Sequence, residues 1–273
     1  ADYDVPKKRL FTYENPSAVS VEEIAQNISP YLVQGNDVVV TSRSNPICAV
    51  PVIGIGNKPI DGGHYLFTTE ERDTFIKAEP GSKKYFRRWL GSDEFINGWE
   101  RWCLWLGEAQ PSELKAMPEV LKRIDAVRRV RLESKSAPTQ KLADIPTRFH
   151  VENIPRSEYL IVPKVSSERR AFIPVGFMHP DTLASDLVFI VPNATPYHFG
   201  VFTSSMHMAW VKFVCGRLES RYRYSKDIVY NNYPWPEQPT PAQKQAVEEA
   251  AQGVLHARAS HKGASLADLY DPL

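Results

Sequence analysis

Several ingredients are scarce in this 273-residue chain, and each scarcity narrows the field. There are three cysteines, Cys48, Cys103 and Cys215. Their odd number and wide spacing give neither a disulfide framework nor a Cys-x-x-Cys metal pair, and point to a reducing, cytoplasmic compartment. No apolar run is long enough to cross a bilayer, and "ADYDVPKKRLFTYENP" lacks the apolar stretch of a signal peptide. Charge of one sign is also missing. With 33 Lys and Arg against 32 Asp and Glu, the net charge is +1, so the chain is not a uniformly basic polyanion binder.

Catalytic signatures are equally thin. "GIG" at Gly54–Gly56 lacks a third glycine and leads into Asn57-Lys58-Pro59 rather than a helix, which speaks against a nucleotide loop. No GxxxxGK[ST] occurs, and the seven histidines form no HExxH. Holding a target amine for methylation calls for an Asn/Asp-Pro-Pro-aromatic loop. Asn45-Pro46 is followed by Ile47-Cys48, and Asn15-Pro16 by Ser17-Ala18, so neither qualifies. Glu113-Leu114-Lys115 and Glu133-Ser134-Lys135 have the Glu-x-Lys spacing of carboxylate–metal nucleases. Both fall in or beside a predicted helix, without a carboxylate cluster for magnesium. Nothing resembles a nucleophilic triad.

What is present is a globular composition, 42% hydrophobic, sufficient for one large domain or two small ones. A capping box, Ser20 with Glu23, predicts a short helix ending before Pro30. "DVVVTS" (37–42) predicts a strand and "GIGNKPIDGG" (54–63) a turn-rich loop. Thr68 with Glu71 caps a second helix ending near Pro80-Gly81, and "WERWCLWL" (99–106) reads as a buried aromatic strand. Pro118 opens a helix of about fifteen residues with Val120, Ile124 and Val127 on one face. "SAPTQKLADIPT" (136–147) reads as a loop. "YLIVPKV", "FIPVGFM" and "LVFIVP" are short β-like runs whose prolines belong at edges or ends. Residues 204–218 turn helical, with Met206, Trp210, Phe213 and Val214 on a shared face and His207 as a packed or capping residue. Thr240-Pro241 opens a final helix. Without a βαβ rhythm, this order predicts an α+β fold, with twisted, mainly antiparallel sheets, flanking helices, and Trp102 and Trp210 in the core.

The balanced charge hides uneven patches. Residues 122–135 hold six cations and two acids, residues 77–88 five and one, and the first 37 residues three cations and six acids. Such runs are commonly solvated faces. "RYRYSKDIVYNNYPWPE" (221–237) is more specific, with five aromatics, three cations and two prolines. Strand alternation puts Arg221 and Arg223 on one side and Tyr222 and Tyr224 on the other. Rings then face a core, and cations face a partner. Lys226 follows directly. "KVSSERR" places Lys164, Ser166, Ser167, Glu168, Arg169 and Arg170 at a turn, where Glu168 can orient an arginine or accept from a cytosine amine. A plain surface turn with a local ion pair fits the same residues. Lys58 and Asp61 stand on the glycine-flexed loop.

Four stretches carry a resemblance: "GNKPIDGG", "FINGWERWCLWL", "YLIVPKVSSERR" and "TSSMHMAWVKFVCGRLESRYRYSKDIVYNNYPWP". Together they resemble, over roughly residues 37–237 and in unchanged order, the target-recognition region of MmeI-type (Type IIL) restriction–modification enzymes. The proline-rich exit before a helix is also similar, more loosely, to specificity subunits of Type I enzymes. The resemblance implies sequence-specific recognition of double-stranded DNA for an enzyme that methylates adenine with S-adenosylmethionine and also carries a nuclease. It implies residues 1–36 as a connector from a methyltransferase domain, 37–236 as the recognition domain, and 237–273 as the start of a C-terminal helical part. S-adenosylmethionine and magnesium belong on this view to other domains of the same polypeptide, and no cofactor is expected in this chain. The expected DNA-binding residues are Lys58, Asp61, Lys164, Ser166, Ser167, Glu168, Arg169, Arg170, Arg221, Arg223 and Lys226. A non-catalytic protein-interaction domain is the competing reading.

Overall fold

In a computed structural model, residues 7–14 and 17–271 are described; the Asn15-Pro16 step compared above lies outside them. Two expectations near the start of the chain are corrected. The segment after Ser20 is not helical: β1 (Lys8–Thr12) and β2 (Val21–Ala25) form an antiparallel hairpin, with Lys8 opposite Ala25 and Thr12 opposite Val21. β-branched Val21 and Ile24 suit that ladder better than a helix. Residues 37–42 form no strand, and Val38 and Val39 are exposed. A β-branched run becomes a strand only where a second strand offers backbone partners. Here the Val40 amide instead donates to the Tyr31 hydroxyl at 2.7 Å.

The middle of the chain builds one hydrophobic core. β3 (Gly54–Ile55) precedes a tight loop, then β4 (Leu66–Phe67) and α1 (Thr69–Ala78). Thr68 and Glu71 form the expected capping box at the start of α1. A 3₁₀ turn, Pro80–Tyr85, leads into β5 (Phe86–Leu90), α2 (Ser92–Asn97), β6 (Trp102–Leu104) and α3 (Pro111–Lys115). α4 (Pro118–Leu132) buries Val120, Ile124 and Val127, as its 3.6-residue period predicts. Arg131 lies on the same buried face. The 136–147 segment is corrected from loop to α5 (Ala137–Lys141) plus a 3₁₀ turn, Leu142–Asp144. Pro138 falls in the first turn of α5, where a missing N–H costs nothing.

Next come β7 (Tyr159–Pro163), β8 (Val165–Ser166), β9 (Gly176–Met178), β10 (Thr182–Ala184) and β11 (Val188–Pro192), of which β10 joins the first core through Leu183 beside β5. Two helices follow, α6 (Pro196–Phe202) and α7 (Ser205–Val214), then β12 (Gly216–Leu218) and β13 (Arg221–Arg223). After a π-helical turn, Lys226–Tyr230, come α8 (Pro241–Ser260), capped by Thr240, and α9 (Leu266–Tyr270). Among the described residues the larger sheets run β10-β5-β6-β4 and β3-β11-β7-β9, and a three-stranded sheet runs β12-β13-β8. Pairings are antiparallel except β5 with β10. The α+β expectation holds, and Pro163 and Pro192 sit at strand ends.

α7 is where the periodicity reading chose the wrong stripe. Met206 is 70% and Phe213 54% exposed, while His207, Met208 and Val211 are buried. Burial is tolerable for His207 because both ring nitrogens are satisfied. Nδ1 is 2.9 Å from the Phe202 carbonyl, which can only accept, so Nε2 must accept from the Tyr224 hydroxyl at 3.0 Å. Burial lowers the His207 pKa to about 4 and keeps the ring neutral.

Candidate nucleic-acid interface

The alternation in "RYR" is realised in β13. Tyr222 is buried, while Arg221 and Arg223 are exposed. Directly opposed residues share a face of a ladder. Tyr222 lies opposite Ser166 of β8 and Arg217 of β12. Arg221 lies opposite Leu218, and Arg223 opposite Val165 and Gly216. Beneath the sheet, the rings of the 221–237 segment belong to the core. Tyr222, Tyr224, Tyr230, Tyr233 and Trp235 are all buried. Phe202 stacks on Tyr230 at 5.5 Å, and Trp235 packs edge-on to both Tyr230 and Tyr233. Such pairs add about 0.5–1.5 kcal/mol each beyond area burial. The Pro-Trp-Pro exit thus plugs Trp235 into the core before α8 begins.

The cations around this sheet are held in defined places. Arg217 lies 3.9 Å from the Tyr222 ring centroid and donates to the Ser220 carbonyl at 3.1 Å. Arg221 pairs with Glu219 at 2.7 Å, both exposed. Glu219 has φ +56°, a left-handed turn residue between β12 and β13. Beside the sheet is a groove of about 580 Å³, lined by Lys164, Arg223 and Lys226 with Phe189 and Ile228 among its apolar residues. Lys226 pairs with Asp227 at 3.2 Å. Half-buried Lys164 lies 4.8 Å from the Phe189 ring centroid. Its pKa is lowered, first by desolvation; neighbouring Asp186 opposes the shift, and Lys58 and Arg223 add to it. Lys58 stands 3.8 Å from Asp186. Lys58, Lys164 and Arg223, far apart in sequence, are therefore electrostatic neighbours with Asp186 among them.

The other expected residues separate from this group. Glu168 and Arg169 are exposed and Ser167 half-buried, with the Ser167 hydroxyl accepting from the Arg169 amide at 3.2 Å. Arg170 turns inward and holds Asp271 at 2.5 Å, its side chain only 11% exposed. Ser166 and Asp61 are buried. Asp61 accepts from the Gly63 and Tyr65 amides at 3.2 and 2.8 Å, which makes it a turn-former. Of the four arginines among the expected DNA-binding residues, Arg169, Arg221 and Arg223 are exposed, while Arg170 is engaged by the C-terminal segment. Arg217, Glu219 and Asp186 were missed. The signal for Arg217 and Glu219 was the two-residue β12–β13 turn, which doubles the alternating pattern. Asp186 has no local signal.

Gly56 is packed so closely that a Cβ would stand 2.1 Å from the Ser185 carbonyl oxygen, and Gly54–Ile55 is laddered to β11, so "GIG" is a strand-packing element rather than a phosphate loop. Among the described residues no group of three or more His, Cys, Asp or Glu is placed to hold a metal ion, and no helix is long and apolar enough to cross a membrane.

Comparison with known proteins now adds to the geometry. Residues 34–237 match the family profile described as MmeI, target recognition domain. The chain belongs to the MmeI family. Residues 239–273 match the profile of the MmeI C-terminal domain. DNA methyltransferase A of Bacillus subtilis (strain 168) is 41% identical over 265 residues, covering 97% of this chain and 29% of that protein. A solved structure, described as the Type IIL restriction–modification enzyme MmeI in complex with DNA, shares 47% identity and a TM-score of 0.94. It covers 98% of this chain and 36% of that one. The chain thus spans roughly a third of the length of these MmeI-family relatives.

Proposed function

We propose that this chain reads a short sequence in double-stranded DNA on behalf of a restriction–modification enzyme. The observation that carries the reading is the split of β13 into a buried tyrosine side and an exposed side bearing Arg221 and Arg223. The likeness to an MmeI structure that contains DNA supports it. Lys58, Lys164, Arg221, Arg223 and Lys226 supply the cation surface, with Ser167, Glu168 and Arg169 at its neighbouring turn. Asp61 and Arg170 act from behind by holding their turns, and Ser166 by pairing β8 with β13 opposite Tyr222. Phosphate contacts set register and salt dependence, while bidentate contacts to base edges set the sequence.

In the same proposal the methyltransferase and helical domains of one polypeptide complete the enzyme, in the cytoplasm. S-adenosylmethionine supplies the methyl group for adenine in the former, and magnesium serves a nuclease domain. No step of either reaction is assigned to residues of this chain. The recognition domain covers 37–236, with 1–36 leading from the methyltransferase domain and 237–273 leading into the helical part. Two assays on the purified chain test the reading. In a binding selection from a random duplex library, a common motif should enrich, with non-specific affinity of about 10⁻⁴–10⁻⁶ M at physiological salt. Incubation with labelled S-adenosylmethionine and DNA should transfer no methyl group. Absence of salt-dependent binding at high micromolar concentration would instead favour a protein-interaction domain.

A further inference from the structure

Arg131 is fully buried, yet faces no carboxylate within ion-pair distance among the described residues. Its guanidinium donates to five backbone carbonyls. Nε reaches Ile60 at 2.9 Å, and Nη2 reaches Pro59 at 2.9 Å and Arg148 at 2.7 Å. Nη1 reaches Leu142 at 2.8 Å and Ile145 at 3.1 Å. Desolvation lowers its pKa. An apolar residue, like those at the other buried positions of α4, would fill the space without this cost of burying a charge. The charge is spent on loop and turn carbonyls: Leu142 and Ile145 also accept from the Ile145 and Arg148 amides, whereas for Pro59, Ile60 and Arg148 the donor among the described residues is Arg131.

One of those carbonyls belongs to a strained residue. Ile60 has φ +49°, a left-handed conformation that is a true outlier for a β-branched side chain. It stands two residues after Lys58. The Lys58 backbone is clamped on its other side, its amide donating to Val151 at 3.0 Å and its carbonyl accepting from His150 at 2.9 Å. Its ammonium faces Asp186. We infer that Arg131 is a positioning residue for DNA recognition, holding the strained Pro59–Ile60 turn and through it the place of Lys58. A lysine cannot do the same, because its three donors radiate from a single atom, whereas the planar fork spans carbonyls on two chain segments. The inference rests on the proposed DNA-contacting role of Lys58.

The test uses this chain with Arg131→Lys, Ile60→Gly, Lys58→Gln and their combinations. Amide exchange at Lys58 and salt-dependent binding to a mixed-sequence duplex are the readouts. Arg131→Lys should stay folded, speed exchange of the Lys58 amide by at least about tenfold, and lower the log–log salt slope by about one, as Lys58→Gln does. Combined with Lys58→Gln it should lower the slope no further. Adding Ile60→Gly should restore the slope, since glycine adopts a positive φ without being held. A Lys58 amide still protected in Arg131→Lys overturns the inference, as do additive slope losses. If Lys58→Gln binds DNA like the parent, the assignment of Lys58 to DNA has failed, and exchange at the Lys58 amide alone decides whether Arg131 positions it. Should Arg131→Lys not fold, Ile60→Gly must rescue folding; failure of that rescue makes Arg131 a general core staple and overturns the inference.

Discussion

Two regions of this chain are rich in arginine and use it in opposite ways. In α4 three of the five cations look inward or pair locally, while Arg128 and Arg129 are exposed. Arg131 is sealed under five carbonyls, Arg123 lies over Phe67 and Phe75, and Lys122 pairs with Glu119. In β13, Arg221 and Arg223 stand on the outside of a tyrosine-floored sheet, while Arg217 of β12 shares the Tyr222 face and covers its ring. The 122–135 run has the larger cation count, yet the three-stranded sheet presents the better candidate surface. The lesson is that what alternates with the cations matters more than how many there are. Apolar residues at helical spacing pull Arg131 into a core, whereas tyrosines at strand spacing push Arg221 and Arg223 out of one.

The comparison can be broken at its buried end first. Arg131→Met should leave the Pro59, Ile60 and Arg148 carbonyls without their donor and cost about 5 kcal/mol, enough to unfold a marginal domain. Urea denaturation followed by circular dichroism reads this directly; a loss below about 1 kcal/mol would mean the carbonyls find water. Tyr222→Ala should cost about 3–5 kcal/mol through lost burial and a cavity. Arg221→Ala, one position away on the other face, should cost under about 1 kcal/mol, because the pair with Glu219 is exposed. Equal costs at the two positions would contradict the two-sided description of β13.

The tyrosine floor also carries a pH dependence. His207 has a folded pKa lowered to about 4 by burial, against an unfolded value near 6.5. The unfolded chain therefore binds the extra proton first as pH falls. Stability from this residue is complete above about pH 6.5, declines between there and about pH 4, and is then constant, a total on the order of 3 kcal/mol. Denaturation midpoints of parent and His207→Gln should converge as pH falls through that window. A parent profile as flat as that of the variant would place the proton elsewhere.

Much of this organisation was legible in the sequence, for identifiable reasons. The caps of α1 and α8, the buried stripe of α4 and the alternation of β13 are local patterns, and each formed as read. The failures were non-local. Val38–Val40 had strand propensity but no partner strand, and Val21–Ala25 found one that overrode a capping box. Met206 and Phe213 were placed on a shared face by helical spacing alone, and the two groups that make burial of His207 tolerable, Phe202 and Tyr224, come from outside α7. At the candidate site the arginine alternation was visible, but the convergence of Lys58, Lys164 and Asp186 depends on how three loops pack. The inward turn of Arg170 depends on Asp271, about a hundred residues away.

The most direct test of the central claim holds charge constant and changes only its location. Arg221→Ala with Arg223→Ala removes two cations from the sheet, and Arg128→Ala with Arg129→Ala removes two exposed cations from α4. Binding of each double variant to a mixed-sequence duplex should be titrated across several salt concentrations. The sheet variant is expected to bind more weakly and to lose about two units of log–log salt slope, while the α4 variant keeps the parental slope. Equal losses from the two variants, or a larger loss from α4, would contradict the account.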